Sequence, residues 1–409
     1  LNNHAPQFAI VSLLIALSSA CFDNTNAVCS PACGMGEVCD PETVECVPAI
    51  VGKFEGELPG SSAQLVESDG RVFFGAADEG QILVGELFED GHDTQILATS
   101  TRRTRLRIDA NESRIAAVWL DPQNQFVLAT RRFSERTWRF ESVRGSYEGS
   151  QEFDIALASG RLHVLFQDDD RTLKRVWRDD ISTPDGTWTL ETVDDRSHDS
   201  TLRACTPPPG PLARGVGAAP SVVAGATSVL VAYLDRDCGD LRFARLGETT
   251  WTIDIVDKGG ASGQDGRIGA HISMARSSAG EIGIAYHDEG LAALKFAVLT
   301  EGGFAAEIVD PGLEIDGLAR ESKSVVGLFP SLAFSPGNQP SIAYLDGTRA
   351  RLRLATEAGS EWTLSTIATD GPVGWWAQML FAGENQVVGS ARFVSSEAGI
   401  KPLWEAQWR

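Results

Sequence analysis

Residues 219–258 (APSVVAGATSVLVAYLDRDCGDLRFARLGETTWTIDIVDK) hold four short apolar runs, at 220–223, 229–234, 241–246 and from Trp251 onward. The Gly225 turn and a polar hairpin separate them. Short apolar runs bounded by turn residues predict β-strands, so the stretch reads as four strands in succession. The same order recurs at 271–310 and at 329–370.

Seven second strands can be counted along the chain: RVFFGAAD, RIAAVWLD, RLHVLFQD, VLVAYLD, IGIAYHD, PSIAYLD and QVVGSARF. Six of them end in Asp, at Asp78, Asp121, Asp168, Asp235, Asp288 and Asp346, and the last ends at Phe393. Gly70, Gly160, Gly225, Gly280, Gly337 and Gly383 mark the preceding turns, with Asn111-Glu112 in the second unit. Four strands in each period of about 40 to 65 residues predict an all-β fold, a seven-bladed β-propeller of four-stranded antiparallel blades. The last unit stops after its third strand at Trp408-Arg409, and residues 49–58 (AIVGKFEGEL) are strand-like. An N-terminal strand completing the last blade would close the ring and remove two sheet edges. A six-bladed ring with one irregular unit outside it is the alternative.

Charge and cysteine distribution set the address. With 35 Lys and Arg against 56 Asp and Glu, the formal charge is −21 and no basic run occurs, which argues against a nucleic-acid partner or an anionic membrane surface. Five of the seven cysteines (Cys21, Cys29, Cys33, Cys39, Cys46) precede the repeats. Residues 8–20 (FAIVSLLIALSSA) are an apolar run too short to span a bilayer and suited to a signal-peptide core. Leu17-Ser18-Ser19-Ala20-Cys21 resembles a bacterial lipobox, although Ser18 stands where that family has Leu. The resemblance implies a signal peptide over 1–20, lipid attachment at Cys21, and export to the cell envelope on its periplasmic or extracellular side. Membrane contact would then run only through the anchor. Residues 29–46 (CSPACGMGEVCDPETVEC) are too short to bury a core, and their spacing lacks paired C-x2-C knuckles. Two disulfides among Cys29, Cys33, Cys39 and Cys46 are expected, with three connectivities open. Residues 21–48 then form a cysteine-rich stalk like those of bacterial surface lipoproteins, and 49–409 the propeller.

In such a ring the turns between second and third strands share one face with the connections between blades. The Asp set and the long insertion 194–218 therefore belong to that face, here the top. Cys205 in the insertion and Cys238 in the next blade's turn both fall there, so a Cys205–Cys238 disulfide is expected. Candidate top-face binding residues are Asp168, His198, Asp235, His287, Asp288 and Asp346. A carboxylate ring could hold Ca²⁺. Recurrence in nearly every blade instead favours a structural role, each Asp accepting N–H bonds in its hairpin. Asp168-Asp169-Asp170 with His198 and Asp199 match no metal spacing, and no cofactor or metal site is expected.

Residues 182–188 (STPDGTW) resemble the Asp-box of sialidases and related propellers, one residue short between Asp185 and Thr187. That motif supports the fold; a sialidase would also need an arginine cluster and a Tyr nucleophile, and no catalytic constellation is recognised. Three readings follow. The first is a monomeric, lipid-anchored propeller binding a protein or glycan without catalysis. The alternative is a glycoside hydrolase or lyase of sialidase-like type with its site atop the channel. A ring serving only as a spacer is the third.

Overall fold

The structure is a computed structural model that describes residues 37–39, 46–48, 52–59, 63–78, 81–88, 91–99, 105–143, 149–183, 186–197, 214–259, 268–315, 321–369, 372–396 and 399–408. Residues 1–49 and 50–409 form separate compact units. In the first, Glu37–Cys39 pairs antiparallel with Cys46–Pro48, and Cys39 is the register partner of Cys46. The apolar run 8–20, Cys21, Cys29 and Cys33 lie outside the described residues.

Among the described residues, the second unit holds seven four-stranded antiparallel sheets. Six consist of four strands consecutive in the chain. Blade 1 is Ala63–Ser68, Arg71–Asp78, Gln81–Phe88 and Gly91–Thr99. Blade 2 is Leu106–Asn111, Arg114–Leu120, Phe126–Arg132 and Arg139–Ser142. Blade 3 is Gly149–Ala158, Arg161–Asp168, Leu173–Arg178 and Thr189–Asp194; blade 4 is Val216–Ala224, Val229–Asp235, Asp240–Leu246 and Trp251–Asp257. Blade 5 is Ile268–Arg276, Ile282–Asp288, Ala293–Thr300 and Gly303–Asp310. A hairpin, Leu313–Ile315 with Glu321–Lys323, precedes blade 6, which is Leu328–Phe334, Pro340–Asp346, Arg351–Ala358 and Glu361–Ala368.

The seventh sheet is composite. Val373–Ala382, Asn385–Ser396 and Gly399–Trp408 supply three strands, and Gly52–Pro59 pairs with the last of them to supply the fourth. First strands of successive blades touch in cyclic order, and that of blade 7 lies between those of blades 6 and 1. All seven sheets therefore belong to one ring, the composite one included. Among the described residues no helix is long and apolar enough to cross a membrane.

The core lies between blades, because each sheet is apolar on both faces. The second strands Val229–Asp235, Ile282–Asp288 and Pro340–Asp346 are buried throughout. Phe126 of blade 2 meets Phe153 and Phe166 of blade 3 edge-on at 5.0 and 5.2 Å. Such pairs add to the burial of the rings themselves.

Polar clasps join blades 3 to 6 in sequence. Tyr233, Tyr286 and Tyr344, each in a second strand, donate to the Asp that ends the preceding blade: Asp194 at 2.7 Å, Asp257 at 2.7 Å and Asp310 at 2.6 Å. The neighbouring third strand adds a cation to each, with Arg242 on Asp194 at 3.1 Å, Lys295 on Asp257 and Arg353 on Asp310 at 2.7 Å. At the rim the indole of Trp251 donates to Glu191 and that of Trp362 to Glu307, each at 2.7 Å.

Candidate functional site

The turn aspartates are bound into their own hairpins. Asp168 accepts from the N–H and hydroxyl of Thr172, both at 3.1 Å, and Asp288 accepts from Leu291 N–H at 2.9 Å. Asp346 accepts from the N–H groups of Thr348 and Arg349, both at 3.1 Å. Asp235 accepts from Asp237 and Cys238 N–H at 3.0 and 3.2 Å, and pairs with Arg242 at 2.6 Å and with Arg196. His287 is buried, its Nδ1 2.8 Å from the Val326 carbonyl, and burial depresses its pKa. His198 lies outside the described residues.

Asp235, Cys238 and Asp240 form a compact buried group with metal-ligand atoms. Those atoms already have partners: Arg242 and Arg196 neutralise Asp235, the Cys238 sulfur is in a disulfide, and Asp240 accepts from Gly259 N–H at 2.8 Å. A cation would have to displace the buried Arg242, so the donor set does not fit a metal. The partner of Cys238 lies outside the described residues.

The seven first strands enclose a cavity of about 600 Å³ at the ring centre. At its top end the lining residues differ from blade to blade. Blades 2 and 3 supply Arg105 and Glu152; blades 5, 6 and 7 supply His271, Phe329 and Trp376. The His271 and Phe329 rings lie 4.4 Å apart, Phe329 and Trp376 5.7 Å, and Trp375 extends the group 5.8 Å from Phe329. One wall is thus aromatic and the opposite wall charged.

Local backbone geometry produces that wall. Phe329 and Trp376 adopt left-handed conformations, φ 49° and 50°. Each follows, two residues on, a glycine that is itself left-handed, Gly327 at 82° and Gly374 at 102°. A Cβ on Gly327 would lie 2.7 Å from Leu294 Cα, and one on Gly374 2.9 Å from the Arg351 carbonyl oxygen, so close packing also excludes side chains. The pairing register shifts there, between Leu328 and Ser331 and between Trp375 and Gln378. A left-handed bulky residue costs about 1–3 kcal/mol, and such strain concentrates at functional sites.

Below the mouth a belt of side chains ties the blades together. Gln64 accepts from Ile108 N–H at 2.8 Å, Asp109 from Leu157 at 2.6 Å, Asp154 from Val222 at 2.9 Å and Ser221 from Met274 at 3.0 Å. Ser273 accepts from Leu332 at 3.0 Å, Ser331 from Met379 at 2.8 Å and Gln378 from Leu65 at 3.4 Å. Every blade is linked to the next, and the belt closes. Blade 2 differs: Arg107 occupies the position equivalent to Gln64 and pairs with Asp154 at 3.3 Å, while Asp109 makes the link one step deeper.

Burial controls the charges. Asp109 is pushed up to about 7 by burial, against the N–H bonds from Leu157 and Ala110. Burial also raises Asp154, opposed by Arg107, and lowers Arg107, opposed by Asp154. His271 is pushed down to about 4 by burial, so it is neutral at pH 7. Glu152 accepts from Arg236 at 2.7 Å and from Ala219 N–H at 3.0 Å. The mouth therefore offers apolar ring faces opposite fixed hydrogen-bonding groups, the usual make-up of a small-molecule pocket.

None of these mouth residues was singled out by sequence. The signal is positional: Gly269-x-His271, Gly327-x-Phe329 and Gly374-x-Trp376 stand at equivalent places in successive repeats, with Gly217-x-Ala219 as the plain version.

No protein-family model and no curated protein sequence matches the chain. Among solved structures the chain is similar to the BP39L lectin from Burkholderia pseudomallei, with 14% identity, TM-score 0.57, and coverage of 84% of this chain and 96% of that one. It is also similar to the SapL1 lectin solved with alpha methyl fucoside (12% identity, TM-score 0.47, 77% of this chain and 98% of that one). A third is the Aleuria aurantia lectin, described as a six-bladed β-propeller with a novel fucose recognition mode (13% identity, TM-score 0.47, 77% and 97%). At such identities the likeness concerns fold, and the BP39L match agrees with the sheet order: the chain folds as a β-propeller.

Proposed function

We propose that the chain is a non-catalytic saccharide-binding module whose site is the mouth of the central cavity. The observation that carries this reading is the pair of left-handed aromatics, Phe329 and Trp376, set opposite Arg105 and Glu152. A pyranose has one face rich in C–H groups and an edge of hydroxyls. Aromatic faces take the first, and charged or amide groups take the second. A volume of about 600 Å³ lies within the range of small-ligand pockets. That BP39L is named a lectin agrees with this reading.

The sialidase-like alternative needs an accessible tyrosine. Tyr233, Tyr286 and Tyr344 are instead held in the inter-blade clasps and line no part of the cavity, and the fourth tyrosine, Tyr147, lies outside the described residues. For the rest of the chain, we propose export, attachment through Cys21, two disulfides in the 29–46 stalk, and Cys205 as the partner of Cys238. The module then acts as a monomer at the cell envelope.

Titration calorimetry against a panel of neutral mono- and disaccharides tests the site. Binding is expected for the wild-type protein, with at least about a tenfold loss in Trp376→Ala. Wild-type affinity that Trp376→Ala leaves unchanged would remove the mouth as the site.

A further inference from the structure

The belt beneath the mouth keeps donors in hand. Gln64, Ser221, Ser273, Ser331 and Gln378 each accept one backbone N–H from the next blade, and all line the cavity. A hydroxyl or amide that accepts one N–H keeps a second lone pair and still has a hydrogen to give. Gln378 gives its own to the Ala377 carbonyl at 2.9 Å, and Ser331 points its hydroxyl at the Met379 carbonyl at 3.5 Å. The hydroxyl hydrogens of Ser221 and Ser273 and the amide of Gln64 have no acceptor among the described residues. Arg107 uses Nε on Asp154 and Nη1 on the Leu106 carbonyl at 3.2 Å, which leaves Nη2. The belt thus has N–H and O–H groups to offer a ligand, beside the carboxylates of Asp109 and Asp154.

Those donors take acceptors on a ligand, and charge decides which kind. Three carboxylates (Asp109, Glu152, Asp154) share the cavity with two guanidinium groups (Arg105, Arg107). An anionic acceptor would approach a surface with no excess of positive charge, in a protein of formal charge −21. A neutral carbonyl meets the donors without that repulsion. Ser221 and Ser273 lie in adjacent blades, on the side of the mouth where His271 and Phe329 begin the aromatic wall.

We infer that the mouth selects saccharides carrying a neutral N-acyl group, of which an N-acetylhexosamine is the simplest. The acyl carbonyl accepts from Ser221 and Ser273, and the methyl group lies against the aromatic wall. Gln64 and Arg107 serve the ring hydroxyls. This rests on the saccharide reading above.

The test is calorimetry on the full chain with an N-acetylhexosamine, the parent hexose and the corresponding uronic acid. The N-acetyl sugar is expected to bind at least about tenfold more tightly than the hexose, and the uronic acid more weakly than either. In Ser273→Ala the ratio of N-acetyl sugar to hexose is expected to fall toward one. Circular dichroism verifies that this variant is folded, and the wild-type comparison stands without it. Equal binding of hexose and N-acetyl sugar, or preference for the uronic acid, would overturn the N-acyl inference and leave the saccharide site standing. Absence of binding by all three, and by the wider panel, would overturn both.

Discussion

The side-chain oxygen of Gln378 accepts the backbone N–H of Leu65 at 3.4 Å, joining blade 7 to blade 1 across 313 positions of the chain. It is the longest of the seven belt links. The Ser331 link to Met379 is shorter, 2.8 Å, and buried. Removing an acceptor from a buried N–H costs about 1–3 kcal/mol, more than a long or partly solvated link is worth. Ser331→Ala is therefore expected to lower the urea midpoint further than Gln378→Ala does. Equal midpoints in both variants and the wild type would show that the belt adds no stability.

The clasp tyrosines set an alkaline limit. Burial, together with Asp194, Asp257 and Asp310, holds the hydroxyls of Tyr233, Tyr286 and Tyr344 above their ordinary value of 10.0. The folded state thus keeps a proton that the unfolded chain releases near pH 10. The stabilisation is fully present below that pH and is lost as pH rises through the folded-state values. Replacing all three with Phe is expected to lower stability at pH 8 by about 1 kcal/mol or more per site and to flatten its decline above pH 10. Denaturant titrations at both pH values provide the check.

Asp109 gives a dependence of the same sign, centred lower. Its carboxyl is raised from 3.8 to about 7 by burial, with Asp154 adding to the rise. Between those values the folded state binds the proton more tightly than the unfolded state does, so this group's contribution declines as pH climbs from about 4 to about 7. Asp109→Asn removes the titration and is expected to gain on the wild type by more than about 1 kcal/mol between pH 4.5 and 7.5. A constant difference between the two proteins over that interval would refute it.

The composite blade makes a prediction about truncation. Deleting residues 1–48 removes a separate unit and leaves Gly52–Pro59 on its partner strand. Deleting 1–61 exposes the edge of Gly399–Trp408. The shorter deletion is expected to unfold as the full propeller does, and the longer one to aggregate or melt at lower temperature. Thermal melts with light scattering distinguish them.

What the sequence discloses and what it hides have physical reasons. The second strands are legible from Val229 to Asp235 and in their repeats because strands buried on both faces are continuously apolar and end in a turn residue that caps its own hairpin. The closing strand 52–59 is legible because the last repeat is one strand short. The belt is not legible: its acceptors are Gln, Asp and Ser, which share only a position, and Arg107 breaks even that. The mouth is hidden for a related reason. Motif searches reward what recurs, such as the Asp set, whereas His271, Phe329 and Trp376 matter because they differ at one equivalent place.

Joining Gly52–Pro59 to Gly399–Trp408 also fixes an order of events. During synthesis the first strand of the ring waits, unpaired, while about 340 residues follow it, and its partner is the last strand of the ring to appear. Six blades can assemble from neighbours as they emerge, but the ring cannot lock until its final ten residues arrive. Whatever brings that early strand through the interval holds a bare edge of hydrogen-bonding groups, so completion of the ring and loss of its tendency to associate coincide.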